Sequence, residues 1–92
     1  MPNITIVIYD FSGGAPPYRG FFKSNTIQAN VEPNELDIFS KAGIPSSQCG
    51  SIMRVSNPAS RWNELTSAGP LEALQDGDTV CVQKTLPLGM CD

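Results

Sequence analysis

Between Thr26 and Pro45 the chain changes its apolar period once. Thr26-Ile27-Gln28-Ala29-Asn30-Val31 alternates, which places Ile27, Ala29 and Val31 on one face of a strand. After Pro33 the spacing lengthens. Leu36, Phe39 and Ala42 recur at three-residue intervals, the stripe of a helix that buries one side. Asn34 caps that helix, and Asp37 puts a carboxylate at its third position, where the helix dipole favours one. Gly43 offers a left-handed stop and Pro45 blocks continuation. The rest of the periodic chain reads mainly as strand. Ile4 to Tyr9 is β-rich and apolar on both faces, as in a central strand. Ser51 to Val55 sets Met53 and Val55 against Ile52 and Arg54, and Arg61 to Leu65 reads as a brief strand. Leu71 to Leu74 reads as one helical turn. Asp76-Gly77-Asp78 then makes the turn into Thr79 to Gln83, with Val80 and Val82 inward. One short helix among strands predicts an α+β fold: a mixed sheet of four to five strands with the helix packed across one face.

Ninety-two residues, 40% apolar and 16% charged, predict a single globular domain over residues 1–92 with one core. The net charge is −3, and lysine and arginine form no cluster, so nucleic acid is not an expected partner. No apolar run reaches the ~18 residues of a membrane helix. "MPNITIVIYD" lacks the basic start and small-residue cleavage site of a signal peptide. A cytoplasmic location is expected, or the virion if the source is viral. The three cysteines contain no C-x-x-C pair. They read as thiols of a reducing compartment, buried at Cys49 or Cys81 and exposed at Cys91, with a Cys81–Cys91 disulfide as the open alternative.

Two stretches carry a resemblance. "VEPNELDIFSKAGIP" (Val31 to Pro45) is similar to the strand-E-P-helix-G-I-P run of ubiquitin-like proteins. "LQDGDTVCVQ" (Leu74 to Gln83) resembles small sulfur-carrier proteins such as the small subunit of molybdopterin synthase, and "GSIMRVSN" (Gly50 to Asn57) looks like their third strand. Together these cover about the last two-thirds of the chain. The resemblance implies a β-grasp fold, with Ile4–Tyr9 and Thr79–Gln83 as parallel central strands. Sulfur carriers and conjugated modifiers end in Gly-Gly, whereas this chain ends "TLPLGMCD", with Gly89 followed by three residues. Carrier or modifier chemistry is therefore the alternative. A weaker resemblance joins "NITIVIY" and "AGIPSSQCGSIMRV" to βγ-crystallin Greek keys, which bind calcium. Here Ser46, Ser47, Gln48, Cys49, Gly50 and Ser51 occupy the calcium-site region without a carboxylate.

With no histidine, the chain lacks the side chain best suited to proton transfer near neutral pH. Asp76 and Asp78 read as turn formers, Cys81 as a packed strand thiol, and Ser12-Gly13-Gly14 as a connector without the lysine of a phosphate loop. No catalysis, metal or cofactor is expected. The expected function is protein–protein contact by a small structural or accessory subunit of a larger assembly, a capsid-decorating component being one form. The predicted surface lies on a long first connection. Pro16 and Pro17 stiffen it, Tyr18 and Arg19 supply anchors, and Phe21, Phe22 and Trp62 stand beside them. The competing reading of those three aromatics is that they complete the core or pack over its rim. The rival surface is an open sheet face including Arg54 and Trp62.

Overall fold

The computed structural model describes residues 1–15, 19–45 and 49–84. Strand β1 (Asn3–Gly13) pairs antiparallel with β2 (Arg19–Asn30) from Asn3↔Asn30 to Gly13↔Arg19. The ladder therefore runs well past Tyr9. Ser12 and Gly13 belong to β1, and the expected long connection shrinks to the link from Gly14 to Tyr18. Pro16, Pro17 and Tyr18 lie outside the described residues.

Helix α1 (Glu35–Lys41) follows, then β3 (Cys49–Val55) and β4 (Thr79–Lys84). The sheet order is β2-β1-β4-β3. β4 lies parallel to β1, from Thr5↔Thr79 to Asp10↔Lys84, and antiparallel to β3. The two strands with the most continuous apolar runs are thus the central ones, because only central strands are covered on both faces.

The helix cap forms as its sequence implies. Asn34 Oδ1 accepts from the Asp37 N–H at 2.8 Å, and Asp37 Oδ2 accepts from the Glu32 N–H at 2.7 Å. That backbone donor, with Lys41 behind it, holds the Asp37 carboxyl below its ordinary value. Gly43 ends the helix at φ 75°, in the left-handed region where only glycine is unstrained. One residue of the expected stripe is misplaced, since Leu36 is 85% exposed while Ile38 and Phe39 are buried. At 3.6 residues per turn a three-residue step slips by about 60°, so Leu36 and Ala42 point about 120° apart. The buried arc is Ile38, Phe39 and Ala42, and Leu36 falls outside it.

The sheet separates two cores. On the helix side Ile4, Ile6 and Ile8 of β1 and Val80 and Val82 of β4 meet Val31, Ile38, Phe39, Ile44 and Leu74. On the opposite side Val7, Tyr9, Val55 and Cys81 are buried, with Phe21, Met53, Trp62 and Leu65 packed against them. The segment after β3 covers this second face. It reaches the far edge, where the Lys23 N–H donates to the Ser60 carbonyl at 2.9 Å and Phe22 bridges Arg61. It then returns, pairing Ser67 with Val55 and donating the Ala68 N–H to the Arg54 carbonyl at 2.7 Å. A strap of this kind spans three strand spacings, about 14 Å. The brief strand expected over Arg61 to Leu65 is instead a 3-10 turn at Trp62–Glu64, because a single bridge holds it to the sheet. Leu71–Ala73 makes the expected helical turn.

The last turn is clamped to the start of β1. Asp76 Oδ1 accepts from the Asn3 N–H at 2.7 Å, and the Gly77 N–H donates to the Asn3 carbonyl at 2.9 Å. Asp78 Oδ2 accepts from the Gln75 N–H at 2.9 Å, and Gly77 supplies φ 88°. The Asp-Gly-Asp run therefore delivers β4 alongside β1. Among the described residues no helix is long and apolar enough to cross a membrane.

Candidate functional site

The register of the first hairpin slips between Ile8 and Tyr9, which pair with Asn25 and Lys23 respectively and leave Ser24 as the extra residue. The Ser24 hydroxyl donates to the Ile8 carbonyl at 3.1 Å. Because side chains alternate with period two, one extra residue reverses which face the rest of the strand presents. Before the bulge Ile27 and Ala29 face the helix-side core; beyond it Phe21 faces the strap side. The bulge is what sends Phe21 toward the second core.

The strap brings its own side chains to the same place. The Arg61 guanidinium lies 5.2 Å from the Phe22 ring centroid, a cation–π distance. Trp62 packs edge-on to Tyr9 at 5.5 Å, and Phe21 edge-on to Phe11 at 5.3 Å. Arg19, Phe21, Phe22, Arg61, Trp62 and Asn63, with Gly20, line a cleft of about 140 Å³. Arg19 is exposed and the three aromatics are half-buried. Four of the five residues expected from the sequence thus meet in one cleft, although about forty positions separate Trp62 from the hairpin. The fifth, Tyr18, lies outside the described residues. Phe21 and Trp62 pack over the rim of the second core and, with Phe22, line the cleft.

Arg61, Asn63 and Phe11 were not singled out by sequence. The cue for Arg61 was its place beside Trp62, but its partner Phe22 lies across a strap contact that no local pattern shows. The rival surface does not form as expected. Along β3, Arg54 pairs with Val80 on the helix-side face while Trp62 packs on the other, and that other face is strapped rather than open. Arg54 instead pairs with Asp78 at 3.2 Å and donates to the Pro70 carbonyl at 3.4 Å.

Beneath the strap, the Tyr9 hydroxyl donates to the Ala59 carbonyl and accepts from the Cys81 thiol at 3.8 Å. Burial pushes both the Tyr9 phenol and the Cys81 thiol above their ordinary values. Cys81 thus packs in the strap-side core with its thiol favoured in the protonated form. Cys49's side chain and Cys91 lie outside the described residues, as does the Ser46–Gln48 stretch. Among the described residues no group of three or more Cys, Asp or Glu is placed to hold a metal ion.

What the cleft offers chemically is two guanidinium groups, aromatic surface and one amide. Among the described residues neither Arg19 nor Arg61 has a carboxylate partner; the two ion pairs are Lys41–Asp37 and Arg54–Asp78. The chain matches no protein-family model, no curated protein and no solved structure.

Proposed function

We propose that this chain is a β-grasp protein-interaction module without catalytic activity, a structural or accessory subunit that docks a protein partner in the Arg19–Trp62 cleft. A capsid-decorating or other virion component is one form such a subunit takes. The fold reading is supported by the order β2-β1-β4-β3, by the parallel β1–β4 pair and by a helix crossing between β2 and β3. A Greek-key sandwich, built of antiparallel strands, has no use for that parallel pair.

The observation that carries the functional reading is the convergence of Arg19, Phe21, Phe22, Arg61 and Trp62 on one cleft. Aromatic and arginine side chains combine large contact area with directional bonding, and they dominate binding energy where they cluster. A cleft of about 140 Å³ is also smaller than the ~300–1,000 Å³ typical of small-molecule sites. It suits one anchoring side chain of a protein partner.

Arg19→Ala with Phe22→Ala tests this reading. Both residues are at least partly exposed, so the melting temperature should stay within about 2 °C of wild type. Capture of partners from the native host by the immobilised double variant should fall by ~2 kcal/mol or more, about thirtyfold. Undiminished capture would remove the cleft as the docking surface.

A further inference from the structure

The two ends of this molecule are chemically complementary. β1 covers about 35 Å from Asn3 to Gly13 at ~3.3 Å per residue, along a molecule 40 Å in its longest dimension. The cleft lies at the Gly13 end, where Arg19 pairs with Gly13. At the Asn3 end, Val31 donates to Pro2 and Asp76 accepts from Asn3, so the start of α1 and the final turn lie together. That end carries Glu32, Glu35, Glu72 and Asp76, none in an ion pair among the described residues. It also carries Leu36, the most exposed large apolar side chain described, in a depression shared with Glu35, Leu71 and Glu72.

We propose that the occupant of the cleft is this acidic end of a second copy of the same chain. Leu36 of one copy enters beside Trp62 of the next, with Glu35 and Glu72 against Arg19 and Arg61. The inference rests on reading the cleft as a protein-docking surface and names its partner. The exposed leucine supplies an aliphatic anchor to an aromatic cleft sized for one side chain. The carboxylates then meet the two guanidinium groups that have no carboxylate of their own. Since the two surfaces sit at opposite ends of a rigid sheet, one molecule cannot satisfy itself. The contact is head to tail, so it propagates into a ring or a filament unless two antiparallel copies satisfy both contacts at once and close it as a two-fold dimer. A chain of net charge −3 still associates this way, because each contact brings unlike local charges together within a screening length.

Sedimentation velocity on the full chain tests this. In low salt the weight-average sedimentation coefficient should rise between about 10 µM and 1 mM, and ~0.5 M salt should suppress the rise. Two charge-reversed variants, Arg19→Glu/Arg61→Glu and Glu35→Lys/Glu72→Lys, should each sediment as monomers with wild-type melting temperatures. Mixed in equal amounts they should associate again, because the reversed cleft meets a reversed end. Leu36→Ala, which alters an exposed side chain, should weaken association at least tenfold. A wild-type chain that stays monomeric at 1 mM in low salt overturns the proposal. So does association that neither reversal nor Leu36→Ala changes. If the chain is monomeric yet the cleft variants lose a different host protein, head-to-tail association is wrong and the docking surface stands. If both measurements fail, both readings fall.

Discussion

Tyr9 shows what one side chain does when the topology closes over it. Its position in an apolar run made it a core residue by sequence, and it is fully buried. Its hydroxyl needed a partner that no local pattern names. That partner, the Ala59 carbonyl, is fifty residues away and arrives only because the strap crosses the sheet. Removing the hydroxyl leaves a partly buried carbonyl without its donor, so Tyr9→Phe should cost about 1–2 kcal/mol in urea unfolding. The same burial sets a pH dependence. The phenol's value is raised in the folded state above its ordinary 10.0, so the folded protein binds the proton more tightly than the unfolded one. That stability is fully present below pH ~10 and is lost as pH rises beyond it. Cys81, raised from its ordinary 9.0, adds a loss of the same sign starting about one pH unit lower. Between pH 10 and 12 the stability of wild type should therefore fall more steeply than that of Tyr9→Phe. Parallel slopes would show that the phenol is not the group responsible.

Secondary elements were legible wherever the signal is local. The cap, helix and stop of α1, the alternation of β2 and the Asp-Gly-Asp turn each rest on residues within a few positions, and each forms where the sequence placed it. The misplaced Leu36 has a local cause too, since a three-residue spacing does not track a 3.6-residue turn. Truncation separates the two sides of the helix. Phe39→Ala should cost about 3–5 kcal/mol, a large part of the ~5–14 kcal/mol that a chain of this size holds, whereas Leu36→Ala should stay within about 0.5 kcal/mol. Equal losses from the two variants would mean that α1 docks through a different face. The bulge at Ser24 was not legible at all. Ser24-Asn25 suits a strand or a turn, and the extra residue exists only relative to the β1 register. Yet the bulge decides which face Phe21 joins, so sequence could nominate Phe21 for the cleft without saying how it gets there.

The whole molecule is a sheet between unequal covers. Among the described residues the helix-side core holds ten buried residues and the strap-side core four, and the 3-10 turn at Trp62–Glu64 contributes none that is fully buried. Regions with few buried apolar contacts open at lower free energy than the global transition. The strap should therefore open as a unit while the sheet and helix stay closed, and Trp62 is the side chain that most resists this. Cys81 reports the event directly, because its thiol lies under the strap and has no exposed surface in the folded state. In wild type, alkylation of Cys81 mapped by peptide mass should be slow, since it waits for an opening. Trp62→Ala removes the aromatic cover over Tyr9 and should raise that alkylation rate by tenfold or more, through a loss of about 1.4 kcal/mol or more in local stability. Amide exchange separates this from global unfolding. The amides of Ile38 and Phe39 in α1, and of Val80 and Val82 in β4, should keep most of their wild-type protection in the same variant. Should their protection fall in step with the rise at Cys81, the two faces unfold together. The sheet would then be one cooperative unit, with Trp62 part of its single core.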